Sequence, residues 1–145
     1  MKTITVMIPA YNEQEVLSSL FKRLDFLSKS AEKYEFEFLF INDGSHDKTL
    51  EMIMRQSKKD PRISYINLSR NFGKEVAMMA GIDHAQGDAM VIIDADLQDP
   101  PELIPEMIHY WEQGYDDVYA RRKSRKGETW LKKKTSNGSD RKSVV

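Results

Sequence analysis

Two carboxylates flanking one small residue, Asp94-Ala95-Asp96, are the strongest chemical signal in this chain. They close an apolar run at 89–93, and Gln98 adds a carbonyl oxygen just beyond. Hard divalent cations such as Mg²⁺ and Mn²⁺ take oxygen ligands and can keep positions open for phosphate oxygens. The plainer alternative is an Asp-rich turn. The strand before the pair and the Gln98-Asp99-Pro100 continuation favour the cation. Asp43, in the tight turn Asn42-Asp43-Gly44-Ser45, could accept hydrogen bonds from a base or ribose, or support its own turn. Tyr11 offers a ring to lie against a base, or to cap a sheet edge. Arg70 and Lys74 offer positive charge to a diphosphate, although lone basic side chains in loops are usually solvated. His46, His84 and His109 share no ligand spacing and read as structural or surface residues, and Met78-Met79 reads as core.

These residues need a scaffold, and the hydrophobic pattern supplies one. Residues 3–8, rich in β-branched side chains, predict a strand closed by Pro9. Val16, Leu17, Leu20, Leu24 and Leu27 recur on one face of a predicted helix over 13–31. Residues 35–41 (EFEFLFI) read as a strand buried on both faces. A helix follows over 47–58, with Leu50, Ile53 and Met54 on one side, then a strand at 63–68 and a helix over 74–85. The run 89–93 predicts the fourth strand, 102–112 a helix that starts at prolines, and 117–120 a fifth strand. The order β-α-β-α-β-α-β-α-β predicts an α/β fold with a mostly parallel sheet and helices on both faces. Ligands in such sheets bind beyond the carboxyl ends of the strands. Those ends are PAYNE (9–13), NDGS (42–45), SRNFGK (69–74) and DADLQD (94–99), and each carries polar, charged or aromatic groups.

Composition excludes several classes. The 145 residues fit one domain with a real core, at 40% hydrophobic and 31% charged. The absence of cysteine removes disulfides, thiolate metal sites and a cysteine nucleophile. No apolar window suits a membrane helix, and the N-terminus lacks a signal-peptide pattern, so a cytoplasmic location fits. No GxGxxG follows the first strand and no Walker A motif occurs, which argues against a dinucleotide dehydrogenase and a P-loop NTPase. The net charge of −1 conceals an asymmetry: residues 1–120 hold 12 Lys/Arg against 21 Asp/Glu, whereas residues 121–145 hold ten against two. That basic end suits nucleic acid, phosphate groups or an anionic membrane surface, or is simply a solvated tail. Residues 127–145 show no clear period and are expected to be a basic tail without regular structure.

The four strand-end motifs, extended to DADLQDPPEL (94–103), resemble glycosyltransferase family 2. The similarity is greatest to the polyprenyl-phosphate sugar synthases and runs from residue 3 to about residue 134. The resemblance implies a GT-A fold, with residues 1–126 as the nucleotide-sugar-binding part, and inverting transfer from a nucleotide diphosphate sugar. It implies that Pro9, Ala10, Tyr11, Glu13, Asp43, Lys74 and Asp94 hold the nucleotide. Asp94 and Asp96 would be the catalytic carboxylates, and with Gln98 they would surround Mg²⁺ or Mn²⁺. Arg70, Arg122 and Arg125 would meet phosphate or sugar oxygens, with Ala120 standing where the family has glycine. The implied partners are a nucleotide sugar, with UDP-glucose or UDP-N-acetylglucosamine expected, and a polyprenyl phosphate at the cytoplasmic face of a membrane. Nucleic acid is not among them. Family members extend well past this length, so the acceptor half of the site and the catalytic base are expected to lie beyond this chain. The chain is therefore expected to bind nucleotide weakly and to transfer little sugar. Four alternatives remain: a family 2 enzyme acting on a polysaccharide or protein, a non-catalytic nucleotide-binding module or fragment, a phosphatase of the haloacid dehalogenase type, which also places an Asp-x-Asp after a strand, and a nucleotidyltransferase on a similar fold.

Overall fold

The computed structural model describes residues 2–95 and 104–113, together with the backbone of 117–122, 129–134 and 143–144. The elements run β1 (Lys2–Ala10), α1 (Leu17–Ser30), β2 (Tyr34–Asp43), α2 (Thr49–Lys59), β3 (Ile63–Leu68), α3 (Lys74–His84), β4 (Ala89–Ile92), α4 (Ile104–Glu112), β5 (Asp117–Arg122), β6 (Thr129–Lys134) and β7 (Ser143–Val144). Up to β5 this is the predicted order, with ends shifted by a few residues. Strands β3-β2-β1-β4-β7 form one sheet, and every neighbouring pair in it is parallel.

Side-chain alternation explains why β1 is continuously apolar over 6–8 and β2 over 38–41. On β1, Ile4, Val6 and Ile8 face one layer, while Met7 faces the other. On β2 the split falls between Phe36, Phe38 and Phe40 on one face and Leu39 and Ile41 on the other. Period-two packing against two helical layers needs apolar residues at both parities. The first layer is α1, through Leu17, Leu20, Leu24 and Leu27, with Ile53 of α2 and Ile104, Met107 and Ile108 of α4. On α2 the inward side holds Ile53 and Thr49, whereas Met54 is exposed. The second layer is α3, which brings Ala77 against Met7, Leu39 and Ile41. It lies close because Gly81 has no side chain: a Cβ there would sit 1.8 Å from Met7 Sδ.

Three readings of the sequence change. Met78 packs against the second core cluster, but Met79 is 65% exposed. Helical periodicity leaves the two on different sides of α3, and no described element covers Met79. The fifth strand, β5, lies outside the parallel sheet and pairs antiparallel with β6, Val118 opposite Lys133 and Ala120 opposite Leu131. Finally, β6 and β7 both fall within 127–145, where the sequence shows no period. The β7 ladder with β4 is a long-range pairing, Ala89 opposite Ser143, which local hydrophobic pattern does not encode, whereas β6 pairs locally with β5, from Arg122 opposite Thr129 to Asp117 opposite Lys134.

Candidate functional site

The chain moves outward from β1 to β2 to β3 and then crosses back, through α3 on the opposite face, to β4 on the other side of β1. The strand order therefore reverses at β1, and a crevice opens beyond the carboxyl ends of β1 and β4. A cavity of about 350 Å³ lies there, lined by Pro9, Ala10, Tyr11, Glu13, Asp43, Lys74, Asp94 and Ala95. All seven residues expected to hold a nucleotide line this one cavity. A larger hollow of about 550 Å³, beside Tyr34, Pro61 and Arg62, sits at the amino ends of β2 and β3. It lacks the strand-end carboxylates and the lysine, so the crevice is the better candidate on chemical grounds.

Hydrogen bonds between loops build the crevice wall. Asn12, held at φ 52, donates its amide to Ser45 Oγ at 3.0 Å, and its side chain accepts the His46 amide at 2.8 Å. The Glu13 amide donates to Thr49 Oγ1 at 2.8 Å, and the Lys48 amide to Gln14 Oε1 at 3.0 Å. Asp47 accepts the amides of Thr49 and Gln14. Burial pushes the Asp47 carboxyl upward, but the hydrogen bonds from Thr49 and the neighbouring amides outweigh it and hold it below the usual value. Tyr11 meets His46 edge-on, with ring centroids 6.5 Å apart. His46, read from the sequence as structural or surface, thus supports the cavity's aromatic wall, and Asn12, Ser45 and Thr49, to which the sequence assigned no role, lock it. Asn12 and Ser45 carried a signal in their place within the PAYNE and NDGS turns, and His46 and Thr49 follow the second turn.

Asp43 does more than line the cavity. Its carboxylate accepts the amides of Phe72 at 2.8 Å and Gly73 at 3.1 Å, and its carbonyl accepts Asn71 Nδ2 at 3.2 Å. Only 4% exposed, it clasps the loop after β3 to the end of β2. Gly44, at φ 69, permits this approach: a Cβ there would sit 2.2 Å from the Asn71 amide nitrogen. The clasp sets the start of α3, where Lys74 Nζ reaches Asp94 Oδ1 at 2.5 Å. Arg70 instead lies over the Phe72 ring, 4.5 Å from its centroid, and does not line the cavity.

Asp94 is fixed by its neighbour, since the Ile93 amide donates to Met7 O at 3.0 Å. Its carboxylate is 32% exposed and already attracts a cation, the Lys74 ammonium. A hard oxygen donor that holds positive charge in an open crevice fits Mg²⁺ or Mn²⁺. Among the described residues, no three acidic or histidine side chains gather to hold a metal. Asp96, Gln98 and Arg125 lie outside the described residues, and of Arg122 only the backbone, in β5, is described.

Known proteins share this arrangement. A family model described as "Glycosyl transferase family 2" matches residues 5–143. The uncharacterized glycosyltransferase YkcC of Bacillus subtilis is 50% identical over 133 residues, 91% of this chain and 41% of that protein. A prophage bactoprenol glucosyl transferase homolog of Escherichia coli is 43% identical, over 92% of this chain and 43% of that protein. The chain thus spans about two fifths of the length of these curated relatives. Among solved structures, the mannosyltransferase PcManGT of Pyrobaculum calidifontis, in complex with GDP-Man and Mn²⁺, superposes with a TM-score of 0.57 at 25% identity, covering 64% of this chain and 27% of that one. Staphylococcus aureus TarS in complex with UDP-GlcNAc gives 0.55 at 25% identity, covering 74% of this chain and 32% of that one. The parallel sheet with its reversal at β1 is the GT-A arrangement these neighbours share, and the match over nearly all of the sequence sets the phosphatase alternative aside. With strand-end motifs, crevice and family model in agreement, the chain belongs to glycosyltransferase family 2.

Proposed function

We propose that this chain forms the nucleotide-sugar half of an inverting glycosyltransferase that moves a sugar from a nucleoside diphosphate to a polyprenyl phosphate at the cytoplasmic face of a membrane. The crevice carries the reading: seven expected nucleotide-binding residues line one cavity, with the Asp94 carboxylate and the Lys74 ammonium paired among them. Tyr11 supplies a ring face for a base, and Pro9 and Ala10 supply a close backbone wall. An oxygen of the acceptor phosphate attacks the anomeric carbon from the side opposite the diphosphate. The carbon–oxygen bond to the diphosphate breaks, and its electron pair leaves with the nucleoside diphosphate. Charge therefore grows on the leaving group, and Lys74 is placed to stabilise it. Bound Mg²⁺ or Mn²⁺, held by Asp94 with Asp96 and Gln98, would supply further positive charge to that group. The acceptor is already an anion, so little base assistance is needed.

The donor and acceptor are read from relatives. Proteins named bactoprenol glucosyl transferase, 43% identical, support a polyprenyl phosphate acceptor and glucose. Solved neighbours at equal identity are in complex with UDP-GlcNAc and with GDP-Man, so UDP-glucose and UDP-N-acetylglucosamine stand as the two candidates on the strength of the bacterial glucosyl transferase names. No helix among the described residues is long and apolar enough to cross a membrane. Contact with the bilayer would then fall to the basic residues 121–145 or to the parts the longer relatives possess. A thermal-shift panel of UDP, GDP and their sugars, with and without Mn²⁺, tests the reading. A ligand specific to the native state at 100 times its Kd adds about 2.7 kcal/mol. Metal-dependent stabilisation by UDP compounds is expected, whereas no response to any nucleotide would overturn the proposal.

A further inference from the structure

The contact between Lys74 and Asp94 sits on the spot that a metal and a diphosphate must share. Both partners are anchored at the backbone. Asp94 follows an amide bonded to Met7 of β1, and Lys74 follows the loop that Asp43 clasps through the Phe72 and Gly73 amides. The two side chains are less constrained: the Lys74 side chain is 57% exposed and the Asp94 side chain 32%. A flexible four-carbon stem carrying a compact ammonium can turn from one anion to another while its Cα stays in place. The cavity leaves room for that movement, since both residues line it. A carboxylate oxygen already receiving an ammonium at 2.5 Å is poorly placed to coordinate a divalent cation, because the two positive charges would repel.

We propose that Lys74 is a resident counter-ion for Asp94, which releases it to the diphosphate when metal and nucleotide arrive together. This rests on the reading of the crevice as a nucleotide-sugar site. In the empty crevice Lys74 neutralises Asp94 and holds divalent metal affinity down. The diphosphate then offers Lys74 a stronger anionic partner, and Asp94 is freed for the metal. Metal alone binds weakly, nucleotide with metal binds well, and one side chain couples the two. Binding free energies are linked reciprocally, so metal and nucleotide raise each other's affinity by the same factor.

The experiment is equilibrium binding by calorimetry and by electron paramagnetic resonance of free Mn²⁺, with no turnover involved. Four proteins are compared: the unaltered chain, Lys74→Met, Lys74→Arg and Asp94→Asn. Lys74→Met should bind Mn²⁺ alone about twofold to fivefold more tightly, the worth of a partly exposed ion pair, and bind UDP in the presence of Mn²⁺ more weakly. Lys74→Arg keeps the charge and should bind Mn²⁺ alone as the unaltered chain does. Asp94→Asn should lose Mn²⁺ binding. If Lys74→Met gains nothing toward Mn²⁺ alone while Asp94→Asn loses it, the counter-ion role is overturned and the crevice remains a metal–nucleotide site. If Asp94→Asn binds Mn²⁺ unchanged, the reading of the crevice fails and the exchange fails with it.

Discussion

Replacing Asp43 separates a ligand-binding role from a structural one. Its carboxylate is 4% exposed and takes two amide hydrogen bonds, at 2.8 and 3.1 Å, from a loop 29 and 30 residues away in sequence. A hydrogen bond to a charged group contributes about 1.5–3 kcal/mol, and orphaning a buried amide costs its desolvation. Asp43→Asn keeps one carbonyl oxygen but turns an NH₂ group toward a backbone N–H. One bond is lost and two donors face each other, so a loss of about 1.5–3 kcal/mol of folding free energy is expected. At this chain length that corresponds to a fall in Tm of roughly 3–12 °C. Asp94→Asn is the control. Its side chain is 32% exposed and its partner is a lysine, so the expected change is within about 1 kcal/mol. Urea unfolding followed by circular dichroism, without nucleotide, measures both. Should Asp43→Asn unfold within about 0.5 kcal/mol of the unaltered chain, a small change by the standard of surface substitutions, the clasp is not holding the loop and Asp43 acts only on ligand.

Two further outcomes follow from the same geometry. Gly44→Ala places a Cβ 2.2 Å from the Asn71 amide nitrogen at φ 69, and the obstacle is backbone that has little room to yield. Left-handed strain of about 1–2 kcal/mol and overpacking of about 1–3 kcal/mol should combine to a loss of roughly 2–5 kcal/mol, and a loss under about 1 kcal/mol by urea unfolding would refute the close approach. At the other end of the sheet, Asp60 takes the Arg62 guanidinium at 2.7 and 2.9 Å, which holds its carboxyl below the ordinary value of 3.8. The unfolded state therefore takes up the proton first. The pair's stability is present above that ordinary value and is lost as pH falls from it toward the lowered folded one. Urea midpoints should fall across this acid window, and Asp60→Asn should flatten the fall.

The type of each element through β5 was legible in the sequence. An α-helix or a buried strand is set by the spacing of apolar residues along a few turns, as in Leu17, Leu20, Leu24 and Leu27 of α1. The strand-end position of PAYNE, NDGS, SRNFGK and DADLQD was equally legible, because each closes an apolar run. The sequence could not show which strands are neighbours. The order β3-β2-β1-β4-β7, with α3 crossing to the opposite face, is what brings Tyr11 and Asp94 into one crevice. Ladder partners such as Ile4 and Ala89 lie 85 positions apart, and β7 gains its structure from a pairing of this kind with β4. The same limit applies to single side chains. Asp43 as a loop clasp, Arg70 lying over Phe72, and Lys74 against Asp94 each depend on which groups come within about 3 Å for a hydrogen bond or about 6 Å for a cation over a ring. Local pattern sets what a residue can do, while tertiary structure sets which distant partner satisfies it.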